Sequence, residues 1–136
     1  MPDTPILQIL DLFLSFQGEG HQVDILKGVN LNIDEGTSVA ILGPSGSGKS
    51  SLLSLMTGLE KQTAGSVTIN GHCLDNMSED QLALFRRDNI GIVLQSFHLI
   101  PTMTALENVA VPLELAGVQD AFGRAAAELA AVGLGS

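Results

Sequence analysis

Tryptophan and tyrosine are missing altogether from this sequence, and cysteine occurs once, as Cys73. A single cysteine excludes an internal disulfide and fits a reducing compartment. His72 beside it has no further ligand at metal-site spacing, so the pair reads as a surface turn. Basic residues are also scarce, with six Lys and Arg against fifteen Asp and Glu and a formal charge of −9. That balance argues against a surface built for a nucleic-acid backbone, which is normally basic. No apolar run approaches the roughly 20 residues of a membrane span, and Met1-Pro-Asp-Thr4 has no positively charged leader. The expectation is a chain neither exported nor transmembrane by itself, reaching a membrane only through a partner. Disorder is excluded too, because 45% of the residues are hydrophobic, and 136 residues point to one domain.

What is abundant is glycine and serine at one place. Residues 40–59 read AILGPSGSGKSSLLSLMTGL. Gly43, Pro44, Ser45, Gly46, Ser47, Gly48, Lys49 and Ser50 match G-x-x-x-x-G-K-[ST], the phosphate-binding P-loop, and Ser51 extends the cradle. A polyphosphate is held best by converging main-chain N–H groups, and glycine allows both the close approach and the positive φ. A helix starting near Gly48 adds unpaired N–H groups and the positive end of its dipole. Lys49 supplies a point charge for the β- and γ-phosphates, and Ser50 a hydroxyl for Mg²⁺. Only three lysines occur, Lys27, Lys49 and Lys61, so this one is not part of a general basic coat.

The flanks agree with the motif. Residues 37–42, with Val39-Ala-Ile-Leu42, read as a strand apolar on both faces, as in a parallel sheet. Leu52, Leu55 and Met56 follow at helical spacing, and Gly58 sits at a helix C-terminus. Leu10, Leu12, Leu14 and Phe16 alternate as a half-buried strand, and Val29, Leu31 and Ile33 as a second. These predict an antiparallel layer beside a parallel core. Residues 65–71 form a short strand closed by Asn70-Gly71. Ser78 with Gln81, and Thr104 with Glu107, are capping boxes that open two helices; Pro112 kinks or stops the second. Residues 120–132 predict an alanine-rich helix capped by Gly133. Residues 90–94 predict another buried strand, ending at Gln95. A neutral amide there could touch Mg²⁺ or water near phosphates, or could simply face solvent.

The order of these motifs resembles the ATP-binding subunit of an ABC transporter, in the lipoprotein-release and macrolide-export group. It is carried by ILKGVNLNIDEGTSVAILGPSGSGKSSLL, AGSVTINGHCLDNMSEDQLALFRRDNIGIVLQSF and HLIPTMTALENV. The resemblance implies an α/β P-loop NTPase fold with a RecA-like parallel core and an N-terminal antiparallel layer, binding ATP and Mg²⁺. It implies that Phe16 stacks on adenine where the family usually has tyrosine. It makes Gln95 the family's Q-loop glutamine, touching Mg²⁺ and coupling to the membrane subunit. It makes Phe97–Val109 the docking surface for a permease, with Phe97, Leu99, Ile100 and Met103 as apolar contacts. It also implies a second ATPase subunit, no nucleic-acid partner, and a cytoplasmic location on the inner face of the membrane through the permease.

The departures are specific. No LSGGQ-type signature, no Walker B strand ending in Asp-Glu and no switch histidine occurs; His21, His72 and His98 match none of these positions. The resemblance therefore covers the N-terminal part of such a domain, up to the segment leading to the signature helix. Lys49 and Gln95 are its catalytic candidates. With half of the phosphoryl-transfer constellation missing, the expectation is little ATP turnover by these 136 residues alone, and uncovered strands prone to association. Alternatives are a non-transport ATPase of the same type, tied to cell division or DNA repair, and a nucleotide-binding module without turnover. A P-loop kinase or GTPase is disfavoured, since no second Asp-x-x-Gly or Asn-Lys-x-Asp motif occurs.

Overall fold

A computed structural model describes residues 4–135. Its sheet is built on β1 (Leu7–Gln17), which pairs antiparallel with β2 (Gln22–Ile33) on one side and β3 (Ala64–Ile69) on the other. A short β4 (His72–Cys73) completes the order β2-β1-β3-β4. The expected antiparallel layer is thus present. The Asn-Gly signal is realised as a two-residue turn, with φ of 50° at Asn70 and 77° at Gly71, the combination a type I′ hairpin requires.

β1 departs from simple alternation. Leu12 and Leu14 are buried as expected, but Leu10 faces outward. A bulge at Asp11 (φ 45°) advances the phase by one residue, so that Leu7 and Ile9 precede it on the buried side and Leu12 and Leu14 follow. Asn30 on β2 pins the bulge: its Oδ1 accepts from the Asp11 N–H at 3.0 Å, and its Nδ2 donates to Asp11 Oδ1 at 3.1 Å.

Helices α1 (Lys49–Met56) and α2 (Glu79–Asn89) supply Leu52, Leu55, Leu82 and Phe85 to a core shared with Ile9, Leu12, Leu14, Leu26 and Val67. Gly58 ends α1 at φ 73°. Its N–H bonds the Leu55 carbonyl and the Leu59 N–H bonds that of Ser54, the paired pattern of a Schellman cap. Arg86 Nη1 then donates to the Gly58 carbonyl at 2.7 Å, tying α2 to the end of α1. The Ser78–Gln81 capping box is formed in both directions.

Asp75 braces β3 from the side. Its Oδ1 accepts from the Val67 N–H and from Gln62 Nε2, both at 3.0 Å. Partial burial opposes ionisation, but the donors facing it, the Val67 N–H first and then Ser66, Cys73 and Gln62, outweigh this and hold the carboxyl below its ordinary range. A depressed folded pKa stabilises above the unfolded value, near 4, and that stabilisation is lost as pH falls through the folded value. Urea midpoints measured from pH 6 downward should therefore fall below about pH 4, and Asp75→Asn should flatten that part of the curve.

Two expected elements are absent. Residues 37–42 and 90–94 form no strand among the described residues, and Leu42 and Val93 are 89% and 101% exposed. A strand apolar on both faces is defined by its neighbours, which take up its N–H and C=O groups and cover it. The four-stranded sheet offers these segments no ladder, and the Walker B strand implied by the resemblance is not in the sequence. Ile41 and Ile90 alone pack partly on the core.

The described residues form two compact units, one up to Gly91 and one from Ile92. The second is a helical pair, α3 (Ala105–Leu115) and α4 (Ala121–Ala131), closed on the small residues Ala110, Ala121 and Ala125. Helix α3 continues through Pro112 rather than stopping there. The Thr104–Glu107 capping box opens α3, and Gly133 (φ 82°) caps α4 as the sequence suggests.

Candidate functional site

The P-loop residues stand where β2 meets the start of α1. Gly48 is the helix N-cap at φ 94° and makes no side-chain cap bond. It lies against β2 so closely that a Cβ would come within 3.1 Å of Leu26 Cδ2 and 3.2 Å of the Ile25 carbonyl. Gly46, at φ 81°, has open space around it. Ser47 closes the loop by donating its N–H to the Pro44 carbonyl at 3.2 Å, and its hydroxyl fills the space beside Gly43.

The amides of Gly46, Gly48, Lys49, Ser50 and Ser51 have no main-chain acceptor among the described residues. The first turn of α1 carries no acidic residue, so nothing internal neutralises the positive end of the helix. Lys49 Nζ folds back onto the loop, donating to the Gly43 carbonyl and, at 3.4 Å, to that of Pro44. These groups border a cavity of 430 Å³ lined by Ile25, Ser45, Gly46, Gly48, Lys49, Ser50 and Ser51. Donors line it together with an ammonium and no carboxylate, an arrangement that suits a polyphosphate.

Ile25 is the lining residue that sequence reasoning missed. The β1–β2 register shifts between Leu14 and Ser15, so Leu26 pairs with Leu14 while Asp24 pairs with Ser15. Ile25 is the extra residue at that shift, and nothing local in the sequence signals it.

Phe16, one residue before the end of β1, stands opposite Val23, two residues along β2 from Ile25, and is 48% exposed. By alternation it shares the face of Leu12 and Leu14, the face that α1 covers. Gln95 lies in the second unit, exposed and in irregular chain rather than at a strand end. Phe97, Leu99, Ile100 and Met103 are all exposed.

No group of three or more His, Cys, Asp or Glu gathers among the described residues. The neutral hydroxyl of Ser50 at the cavity edge fits a hard cation such as Mg²⁺ when the ligand's phosphates bring the negative charge.

Residues 26–135 match the model of the ABC transporter family. The chain belongs to that family. An ABC transporter ATP-binding protein of Mycobacterium tuberculosis is 48% identical over 87% of this chain and 48% of its own length. The lipoprotein-releasing system ATP-binding protein LolD of Geobacter metallireducens is 44% identical over 96% of the chain and 59% of its own length. The macrolide export ATP-binding/permease protein MacB of Marinobacter nauticus is 44% identical over 99% of the chain and 21% of its own length. The chain thus spans about half the length of the Mycobacterium relative. Among solved structures, the dimeric ATP-binding cassette MJ0796 bound to ADP and Pi superposes with a TM-score of 0.77 at 43% identity, covering 80% of this chain and 47% of that one. The fold is therefore that of the ABC cassette. Among ABC-family chains, the LolD and MacB relatives agree with the lipoprotein-release and macrolide-export resemblance.

Proposed function

We propose that this chain is part of the ATPase subunit of an export or lipoprotein-release ABC transporter, and that its 43–51 loop holds the β- and γ-phosphates of ATP. The observation that carries the reading is the amide-lined cavity at the start of α1, with Lys49 beside it and no acid in the helix's first turn. On binding, Lys49 exchanges the Gly43 and Pro44 carbonyls for phosphate oxygens, a move that needs only side-chain rotation. Phe16 offers an exposed ring for the base. Mg²⁺, with Ser50 as its protein ligand beside the phosphates, would neutralise charge on the transferring group.

The exposed apolar tract within Phe97–Val109 is the docking surface for a permease. A relative that carries both functions in one name, ATP-binding and permease, supports this partner. The dimeric state of the MJ0796 cassette supports pairing with a second ATPase subunit. No helix among the described residues is long and apolar enough to cross a membrane. In this reading the permease holds the chain at the inner face.

The test is a titration with fluorescent ATP in Mg²⁺ and again in EDTA. The chain should bind more tightly with Mg²⁺. Ser50→Ala should remove most of that Mg²⁺-dependent gain while leaving the EDTA affinity within about fivefold, since one neutral hydroxyl contributes about 1 kcal/mol or less without the metal. Equal Mg²⁺ gain in the variant would take Ser50 out of the metal site.

A further inference from the structure

We propose that Asn108 is the positioning residue of the partner-facing loop: its carboxamide holds Ile100–Thr104 in one shape and so fixes where the apolar side chains stand. What the loop faces rests on the permease reading above; the clamp itself does not.

Asn108 lies in the first turns of α3, yet its side chain turns away from the helix surface and into the preceding loop. Oδ1 accepts from the Ile100 N–H at 2.7 Å. Nδ2 donates to the carbonyls of Thr104 at 2.9 Å and of Ile100 and Met103 at 3.2 Å each. The loop's own main chain adds one bond inside this bracket, from the Met103 N–H to the Ile100 carbonyl at 3.1 Å. The helix start does not need Asn108. Thr104 and Glu107 already cap it reciprocally, at 3.1 and 2.9 Å.

Asparagine is a mediocre residue inside a helix. Its chemistry here is specific, because the site needs one acceptor and one forked donor on the same short side chain. Aspartate keeps the acceptor but turns a carboxylate onto three carbonyl oxygens. Alanine removes both. The loop so held presents Leu99 (64% exposed), Ile100 and Met103 outward. Apolar side chains on an unbraced loop would collapse locally, so a polar brace beneath them preserves the surface.

The experiment compares the chain with Asn108→Ala and Asn108→Asp by amide hydrogen exchange, using Ile100 as reporter and Ala110 as control. Both variants should lower the Ile100 protection factor tenfold or more and leave Ala110 unchanged. In Asn108→Asp, protection should return as pH falls, because the protonated carboxyl regains a donor; Asn108→Ala should show no such recovery. Alanine is the better helix former, so α3 survives that change. Unchanged Ile100 protection in Asn108→Ala, or no pH recovery in Asn108→Asp, would overturn the clamp. Association with the detergent-solubilised membrane part of a macrolide-export permease separates the two readings. Leu99→Glu should weaken it while keeping Ile100 protected. Association that survives both Leu99→Glu and loss of Ile100 protection in Asn108→Ala would refute the docking surface and leave the clamp standing.

Discussion

Lys49→Ala should lower the affinity for ATP by about ten- to a hundredfold, the scale of one charge-assisted contact of about 1.5–3 kcal/mol. The lysine is well placed for so large an effect. It borders the cavity, and its present partners are two loop carbonyls that it can leave without disturbing the core. The chain's negative charge sharpens the result. Lys27 is exposed on β2 and Lys61 is not among the cavity lining, so neither replaces the missing ammonium. Thermal unfolding of the variant should match that of the parent, because Lys49 contributes nothing to the buried cluster. A folded variant with undiminished affinity in a fluorescent-ATP titration would remove Lys49 from the phosphates.

Gly65→Ala should be the most destabilising single-methyl change, costing at least about 3 kcal/mol and lowering the urea midpoint accordingly. Gly65 opens β3 at φ 93°, where an L side chain is strained. The added Cβ would also stand 2.2 Å from the Asp11 carbonyl oxygen and 2.7 Å from that of Leu10. Both are main-chain atoms of the central strand, so the clash is relieved only by separating β1 from β3, and with them Ile9 from Val67 in the core. The comparison is Gly20→Ala. Its φ is also positive, at 82°, but nothing lies within 4 Å of the added methyl, so it should cost only about 1–2 kcal/mol of backbone strain. Equal costs at the two positions would show that the bulge and β3 do not approach as described.

These two glycines mark the limit of what is legible locally. Gly48 and Gly46 can be read from the P-loop spacing because their positive φ is set by a short stretch of chain. Gly65 reads only as a turn or strand start, because its task is to admit a carbonyl from a residue more than fifty positions away. Helix boundaries were likewise legible. Ser78–Gln81, Thr104–Glu107, Gly58 and Gly133 all act within one helical turn, and each cap forms as read. Of the two outcomes open at Pro112, stopping is the one that does not occur, since the helix gives up one main-chain bond there and continues to Leu115.

By itself, then, the sequence determined the glycine-rich turn before α1, the helices around it and the antiparallel strands, because each is written in spacings of a few residues, and three longer stretches carried the resemblance to the ABC family. Only the tertiary structure decided that Leu10 faces out and Ile9 in, that Ile25 joins the cavity wall, and that Asn108 braces a loop rather than the helix it sits on. It also decided that two runs of apolar residues, 37–42 and 90–94, are not strands here. The reason is common to all of these. A bulge, a register, a brace and a buried strand are relations between distant segments, and a strand's apolar pattern becomes a strand only when another backbone is present to complete its hydrogen bonds.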